Sequence, residues 1–225
     1  MRVLELGSGR GGMSRYVANQ LKAKGILEQV IATNISEVEN NYNRECGKKD
    51  GLEEPEYLVK KISFDDLFSE GTVKTDDKFD IICSCEALLH SSNRPKLLEN
   101  VKNLLNKDGV VYISDILVNA ESRKEEIAQA KARFSDSTLG SGKEYEETFA
   151  ALGMEKIHVR YETEHLQRHY GLIRHTATSS KKELLLGPNG LSQEFYDKTI
   201  KGLDMWIKQS ALGHIHWATF MYKKP

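Results

Sequence analysis

Met1-Arg-Val-Leu-Glu-Leu-Gly-Ser-Gly-Arg-Gly-Gly12 opens a chain of 225 residues, and the rest of the sequence is organised around it. Val3, Leu4 and Leu6 form the apolar run of a strand buried on both faces. Glu5 stands near its end, and the run then breaks into Gly7, Gly9, Gly11 and Gly12. From Met13 to Lys24 the pattern turns helical, and Gly25 suits a C-terminal stop. Strand, glycine turn and helix in this order bring backbone N–H groups close to a nucleotide. Two spacings coexist. Gly7, Gly9 and Gly12 spell G-x-G-x-x-G, the dinucleotide fingerprint. Glu5 with Gly7, Gly9 and Gly11 spells E-x-G-x-G-x-G. The turn alone does not choose between them.

The length suffices for one α/β domain with a sizeable core, and not for two full domains. With 32 basic against 33 acidic residues there is no overall basic surface for nucleic acid. No apolar stretch approaches the ~18–20 residues of a membrane span, and no basic-apolar-small leader is present. Cys46, Cys83 and Cys85 are an odd, sparse set, as expected of a reducing, cytoplasmic compartment. The C-x-C pair reads as free thiols in a strand, so no metal is expected.

Downstream, Gln29–Ser36 is a second strand that ends at Asn34, where nucleotide-binding sheets commonly place an acid for the ribose hydroxyls. Glu37–Lys49 is helix-compatible, and Asp50-Gly51 is a turn. Tyr57–Ile62 is a third strand. Ser63 and Phe64 follow it, either against a ligand ring or as an ordinary helix cap with Ser63 or Asp65. Lys78–Cys85 is a fourth strand. If the turn after it is helical, Glu86 and His90 lie four apart on one face. Asn93 and Pro95 open a helix, Lys96–Asn106, and Asp108-Gly109 leads into a fifth strand, Val110–Ile116, with Asp115 near its carboxyl end. The order βαβαβαβαβ brings these residues to the carboxyl edge of one parallel sheet, where ligands bind.

Beyond Asn119 the texture changes. Helices are expected over Glu121–Phe134, Lys143–Leu152, Glu164 to about Thr176 (capped by Thr163) and Gln193–Ala211 (capped by Ser192). Ser135–Gly142 and Gly187-Pro188-Asn189-Gly190 read as loops, and Lys156–Tyr161 and His214–Tyr222 as two late strands, the last lying beside the sixth. That is not the usual dehydrogenase plan.

The segments E-L-G-S-G-R-G-G at 5–12, A-T-N-I-S at 32–36, C-E-A-L-L-H-S at 85–91, I-S-D at 113–115 and H-L-Q-R-H-Y at 165–170 resemble the class I S-adenosylmethionine (AdoMet) methyltransferases of small molecules. So do G-L-D-M-W-I at 202–207 and G-H-I-H-W-A-T-F-M-Y-K-K at 213–224. The group they most resemble is the sarcosine/dimethylglycine N-methyltransferases of betaine biosynthesis, with the phosphoethanolamine enzymes more distant. That group also carries Asn34 in place of the acid. The resemblance implies a Rossmann-like, seven-stranded sheet with an antiparallel last strand, helices on both faces and helical insertions as a substrate lid. It implies one domain over 1–225, with an AdoMet-binding half, 1–117, and a substrate half, 118–225. Enzymes of this class usually carry a helical cover before the first strand. Here that strand begins at residue 2, so either the chain is truncated or the cover comes from elsewhere.

The resemblance also implies roles. Glu5, Gly7, Gly9, Asn34, Ile35, Ser63, Phe64 and Cys85 would hold AdoMet, the product being S-adenosylhomocysteine (AdoHcy). Glu86 and His90 would face the transferred methyl or the amine, and Asp115 would sit at the substrate mouth. Arg168 or Arg174 suits an amino-acid carboxylate. A carboxylate or aromatic faces suit a growing ammonium charge, with Asp115, Tyr170, Trp206 and Trp217 as candidates, and His169 is a further substrate-side candidate. Each has a structural alternative: Trp206 and Trp217 as core, the arginines and Glu86 as solvated charges, His90 as a backbone-bonded histidine. His165 and His169 lack a third ligand for a metal. The expected partner is a small amine, with no nucleic acid and no membrane; the oligomeric state stays open, a homodimer included. The alternatives are a phosphoethanolamine N-methyltransferase, an S- or O-methyltransferase of a small acid, a non-catalytic AdoMet-binding subunit, and an NAD enzyme, which Asn34 and the final strands disfavour.

Overall fold

A computed structural model describes all residues except 69, 70, 72, 132–138, 188 and 189. Its strands are β1 (Arg2–Leu6), β2 (Gln29–Asn34), β3 (Tyr57–Lys61), β4 (Phe79–Cys85), β5 (Leu105–Val118), β6 (Glu155–Tyr161) and β7 (Ile215–Lys223). They form one sheet in the order β3-β2-β1-β4-β5-β7-β6. β1 pairs in parallel with β2 and β4, β2 with β3, and β4 with β5. The central position of β1 explains its composition: Val3, Leu4 and Leu6 are buried, as a strand flanked on both sides requires. The pairing becomes antiparallel at the far end, where the N–H of Asp108 donates to the Lys224 carbonyl (2.8 Å) and that of Lys224 to Gly109 (2.9 Å).

The helices are α1 (Gly12–Ala23), α2 (Glu37–Lys49), α3 (Arg94–Leu104), α4 (Lys124–Lys131), α5 (Gly142–Ala151), α6 (Thr163–Ser179), α7 (Lys181–Leu186) and α8 (Gln193–Ala211). α1 buries Ser14, Ala18 and Leu21, a stripe at helical spacing. Asn93 caps α3 by accepting from the Lys96 N–H (3.2 Å), and Pro95 sits in its first turn.

The chain forms two compact units. The first holds Met1–Asp115, Glu144–Val159 and Thr219–Pro225; the second holds Ile116–Lys143 and Arg160–Ala218. The expected halves at 117/118 differ from this, because 144–159 and 219–225 return to the first unit. The core of the first unit includes Leu4, Phe79, Ile82 and Leu104. There Tyr145 stacks on Phe220 (4.9 Å) and Phe149 on Tyr222 (4.2 Å). In the second unit α6 packs along α8, whose Leu203, Trp206 and Tyr196 are buried.

Several local expectations change. β5 starts at Leu105, so Asp108-Gly109 lies inside it as an irregularity, with Asp108 at φ 63°. Thr163 does not cap α6; it is the helix's first residue, and its hydroxyl pairs with His216 Nδ1 at 2.9 Å. α7 was not expected. Of the expected helix Glu121–Phe134, residues 124–131 are helical and 132–134 lie outside the described residues, as do 135–138 and 188–189 of the two expected loops.

Candidate functional site

The glycine turn is fixed by its neighbours. The N–H groups of Gly7 and Ser8 both donate to the Thr33 carbonyl, at 2.9 and 2.8 Å. Gly7, Gly9 and Gly11 have φ of 74°, 51° and 74°, a region that favours glycine. At Gly7 a Cβ would lie 2.3 Å from the Ala87 Cβ, and Phe64 Cε1 is 3.6 Å from the same point. β1's end, the Phe64 turn and the turn after β4 therefore meet here. At Gly9 nothing lies within 4 Å of the Cβ position.

Glu5 does not reach this open space. It is buried, and its carboxylate accepts from the Ser14 N–H (3.1 Å) in the first turn of α1. Gly11 at the N-cap offers no side chain, so β1 supplies the cap instead. Burial pushes the Glu5 carboxyl above its usual pKa, against the donors from Ser14.

Asn34 Nδ2 donates to Glu39 Oε2 (3.0 Å), and the Asn34 carbonyl accepts from Asn40 Nδ2 (3.1 Å). A carboxylate thus does stand at the end of β2, carried by the first turn of α2. Sequence reading missed Glu39; the signal was Ser36-x-x-Glu39, a capping-box pattern whose Ser36 does cap α2. Ile35 beside them is 67% exposed.

Ser63 caps a short 3-10 turn, Phe64–Asp66, by accepting from the Asp65 N–H (3.2 Å). Asp65 in turn accepts from Ser91 Oγ (2.7 Å), Ser92 N (2.8 Å) and Ser92 Oγ (2.8 Å), which tie the Phe64 turn to the segment after His90. Burial alone would raise the Asp65 pKa, but these donors hold it below the usual value.

The turn after β4 is not the helix expected. Glu86 has φ 53°, a left-handed conformation that costs a non-glycine residue about 1 kcal/mol. Only Leu88–His90 form a 3-10 turn, so Glu86 and His90 do not share a helical face. Both are exposed. The Glu86 N–H donates to the Ser114 carbonyl (2.7 Å), anchoring this strained residue to β5. Asp115 is fully buried rather than at a mouth, and accepts from the Tyr145 hydroxyl (2.7 Å). The Arg94 guanidinium lies 5.3 Å from the Tyr145 ring centre.

Cys85 gathers the electrostatics of this edge. Its thiol, 3.1 Å from Met13 Sδ, is pushed up to about 12 by burial and then by the charges of Glu5, Glu86 and Asp115.

The six residues expected on the acceptor side all belong to the second unit. His169 and Tyr170 meet edge to face (5.3 Å), His169 lies 6.0 Å from Trp217, and Tyr170 lies 5.0 Å from Trp206. Trp206 is fully buried and backs this cluster rather than lining a surface, while Trp217 is half-buried. Arg174 is held by Asp204 of α8, so its fork is occupied. Arg168 is exposed.

The residues of the first unit fit the AdoMet that the sequence implies. The Ser8 hydroxyl in the glycine turn is buried without a protein partner, the space at Gly9 is open, and Asn34 with Glu39 presents an amide and a carboxylate at the end of β2. Among the described residues, no group of three or more His, Cys, Asp or Glu gathers as a metal site, and no helix is long and apolar enough to cross a membrane.

A methyltransferase-domain family model matches residues 1–159. The chain is 29% identical over 222 residues to the sarcosine/dimethylglycine N-methyltransferase of Halorhodospira halochloris, covering 99% of this chain and 75% of that protein. It is 32% identical over 219 residues to the glycine/sarcosine/dimethylglycine N-methyltransferase of Actinopolyspora halophila, covering 96% of this chain and 36% of that longer protein. The crystal structure of a Galdieria sulphuraria protein, proposed to be a sarcosine dimethylglycine methyltransferase, superposes with a TM-score of 0.85 at 25% identity, covering 99% of this chain and 78% of that one.

Proposed function

Since the chain belongs to the methyltransferase-domain family, an AdoMet-dependent enzyme class, we propose that it methylates the nitrogen of a small amino acid of the sarcosine or dimethylglycine type. The observation that carries this reading is the glycine turn, open at Gly9, with the Asn34 amide and the Glu39 carboxylate together at the end of β2. An amide and a carboxylate at this strand end suit the ribose hydroxyls of AdoMet. The acceptors for which these relatives are named support this choice.

AdoMet, when bound, supplies an electrophilic methyl on a sulfonium. The chain's own work is to bind, orient and manage one proton. Gly7 and Gly9 let the backbone approach the methionyl part. Asn34 and Glu39 take the ribose hydroxyls, while Ile35, Ser63 and Phe64 edge the adenine. The Cys85 carbonyl would accept from the methionyl amine. In-line alignment of the nucleophile is the main catalytic term, worth up to ~7–11 kcal/mol in favourable cases. A secondary amine must lose a proton, and His90 or Glu86 accepts it. A tertiary amine must also arrive without its proton but has none to lose after attack, and the aromatic faces of Tyr170 and Trp217 suit the quaternary product. Arg168 suits the acceptor carboxylate. Asp115 is buried against the Tyr145 hydroxyl and is given no contact with the acceptor. The free, sparse cysteines support a reducing, cytoplasmic setting.

The test is methyl-labelled AdoMet with glycine, sarcosine, dimethylglycine, phosphoethanolamine and a thioether acid. Label in sarcosine or dimethylglycine is expected. Label only in phosphoethanolamine or the thioether overturns the acceptor, and stabilisation by NAD but not AdoHcy overturns the cofactor. Glu86→Gln and His90→Ala should lower kcat for sarcosine by about 10²-fold or more while AdoHcy affinity changes little.

A further inference from the structure

We propose that Asn43, in the middle of α2, is a positioning residue for the cofactor-binding glycine turn; this rests on the reading that AdoMet occupies that turn. Asn43 is fully buried. A Cβ built on Gly11 would lie 1.9 Å from its Oδ1, 2.0 Å from its Cγ and 2.2 Å from its Nδ2. The amide therefore lies directly against the Gly11 backbone and fills the place of the side chain that Gly11 lacks. No contact of this kind underlies Gly9 or Gly12, where the Cβ position is open.

The amide is itself held from two sides. Its Oδ1 accepts from Tyr57 Oη on β3 and from Arg15 Nη1 on α1, both at 2.9 Å. Tyr57 Oη also pairs with Ser14 Oγ (2.8 Å), and Ser14 is the residue whose N–H is capped by Glu5. Arg15 Nη1 donates to the Arg10 carbonyl within the turn at 2.6 Å, and its Nε meets Asp50 beyond α2 at 3.2 Å. A polar belt from β1, α1, α2 and β3 thus closes under the turn, with Asn43 as the member that packs against Gly11 from α2. An outer contact of this kind fixes the geometry of a binding backbone without touching the ligand.

The test measures AdoHcy affinity by calorimetry and both Michaelis constants in the wild type, Asn43→Ala and Asn43→Asp, well below each variant's melting temperature. Asn43→Ala is expected to weaken AdoHcy and raise the AdoMet KM about tenfold, with the acceptor KM within about twofold. Asn43→Asp, which keeps the acceptor oxygens, should stay within about threefold of wild type in both. Gly11→Ala should cost less affinity in the Asn43→Ala background than in the wild type, because the clash is gone. If the wild type does not bind AdoHcy, the cofactor reading falls. If the wild type binds and Asn43→Ala binds equally well, only the present inference falls. Should Asn43→Ala not fold, Tyr57→Phe and Arg15→Met carry the test: weaker AdoHcy binding in either supports the belt, and wild-type affinity in both overturns it.

Discussion

At the scale of single residues, Gly7 and Gly9 illustrate two different demands. Gly7 is confined by Ala87 as well as by its φ of 74°, whereas Gly9, at φ 51°, faces open space. Gly7→Ala is therefore expected to lower the melting temperature and abolish AdoHcy binding together. Gly9→Ala should fold, pay about 1–2 kcal/mol for its backbone and lose AdoHcy affinity by filling the cradle. Thermal melts with and without AdoHcy check both; equal melting losses in the two variants contradict the assignment. The arginines divide similarly. Arg174 is engaged by Asp204, so Arg168→Ala should raise the acceptor KM about tenfold or more. Arg174→Ala should leave that KM nearly unchanged, as initial-rate kinetics will show. The glycines were legible because their spacing is itself the signal. The roles around them were less so. Glu5 looked like a ligand residue, and only the fold shows that its carboxylate caps α1. Glu39 was hidden because hydrogen bonding to Asn34 brings it to the strand end from the next helix.

At the scale of elements, buried strands and capped helices could be read from apolar runs and from Asn93 and Ser192, both of which do cap. The failures have physical causes. Whether the turn at Glu86 is helical stayed open in the sequence because a left-handed glutamate leaves no mark in composition; its anchor is the Ser114 carbonyl on another strand. α7 spans only Lys181–Leu186, too short to show a periodic stripe. Thr163 was expected to cap α6, but His216, on β7, takes its hydroxyl. That pairing has a pH consequence. Burial holds the His216 pKa below its ordinary 6.5, so the folded state prefers the neutral ring. As pH falls below about 6.5 the unfolded chain takes up the proton first, and stability falls with it. The melting temperature should drop between pH 7.5 and 5.5, and His216→Gln should drop less over the same interval. An identical slope in the variant would contradict the linkage.

At the scale of the whole molecule, the order of strands chose the cofactor when the glycine turn did not. A dinucleotide fold and a methyltransferase share the opening β1, turn and α1; they part at β6 and β7, whose order after β5 is β7 then β6. The pairing of the last strand with the sixth was legible from the late strands His214–Tyr222 and Lys156–Tyr161; the insertion of β7 next to β5 was not. The division into two units was not, because Glu144–Val159 and Thr219–Pro225 return to the first unit through packing such as Tyr145 on Phe220. The central claim is that this chain transfers a methyl group from AdoMet to the nitrogen of a small amino acid. Its most direct test is NMR of the wild-type protein incubated with ¹³C-methyl AdoMet and sarcosine. The label is predicted to appear as an N-methyl resonance of dimethylglycine, then of trimethylglycine, with one AdoHcy formed per methyl. AdoHcy binding with no labelled N-methyl product would contradict it.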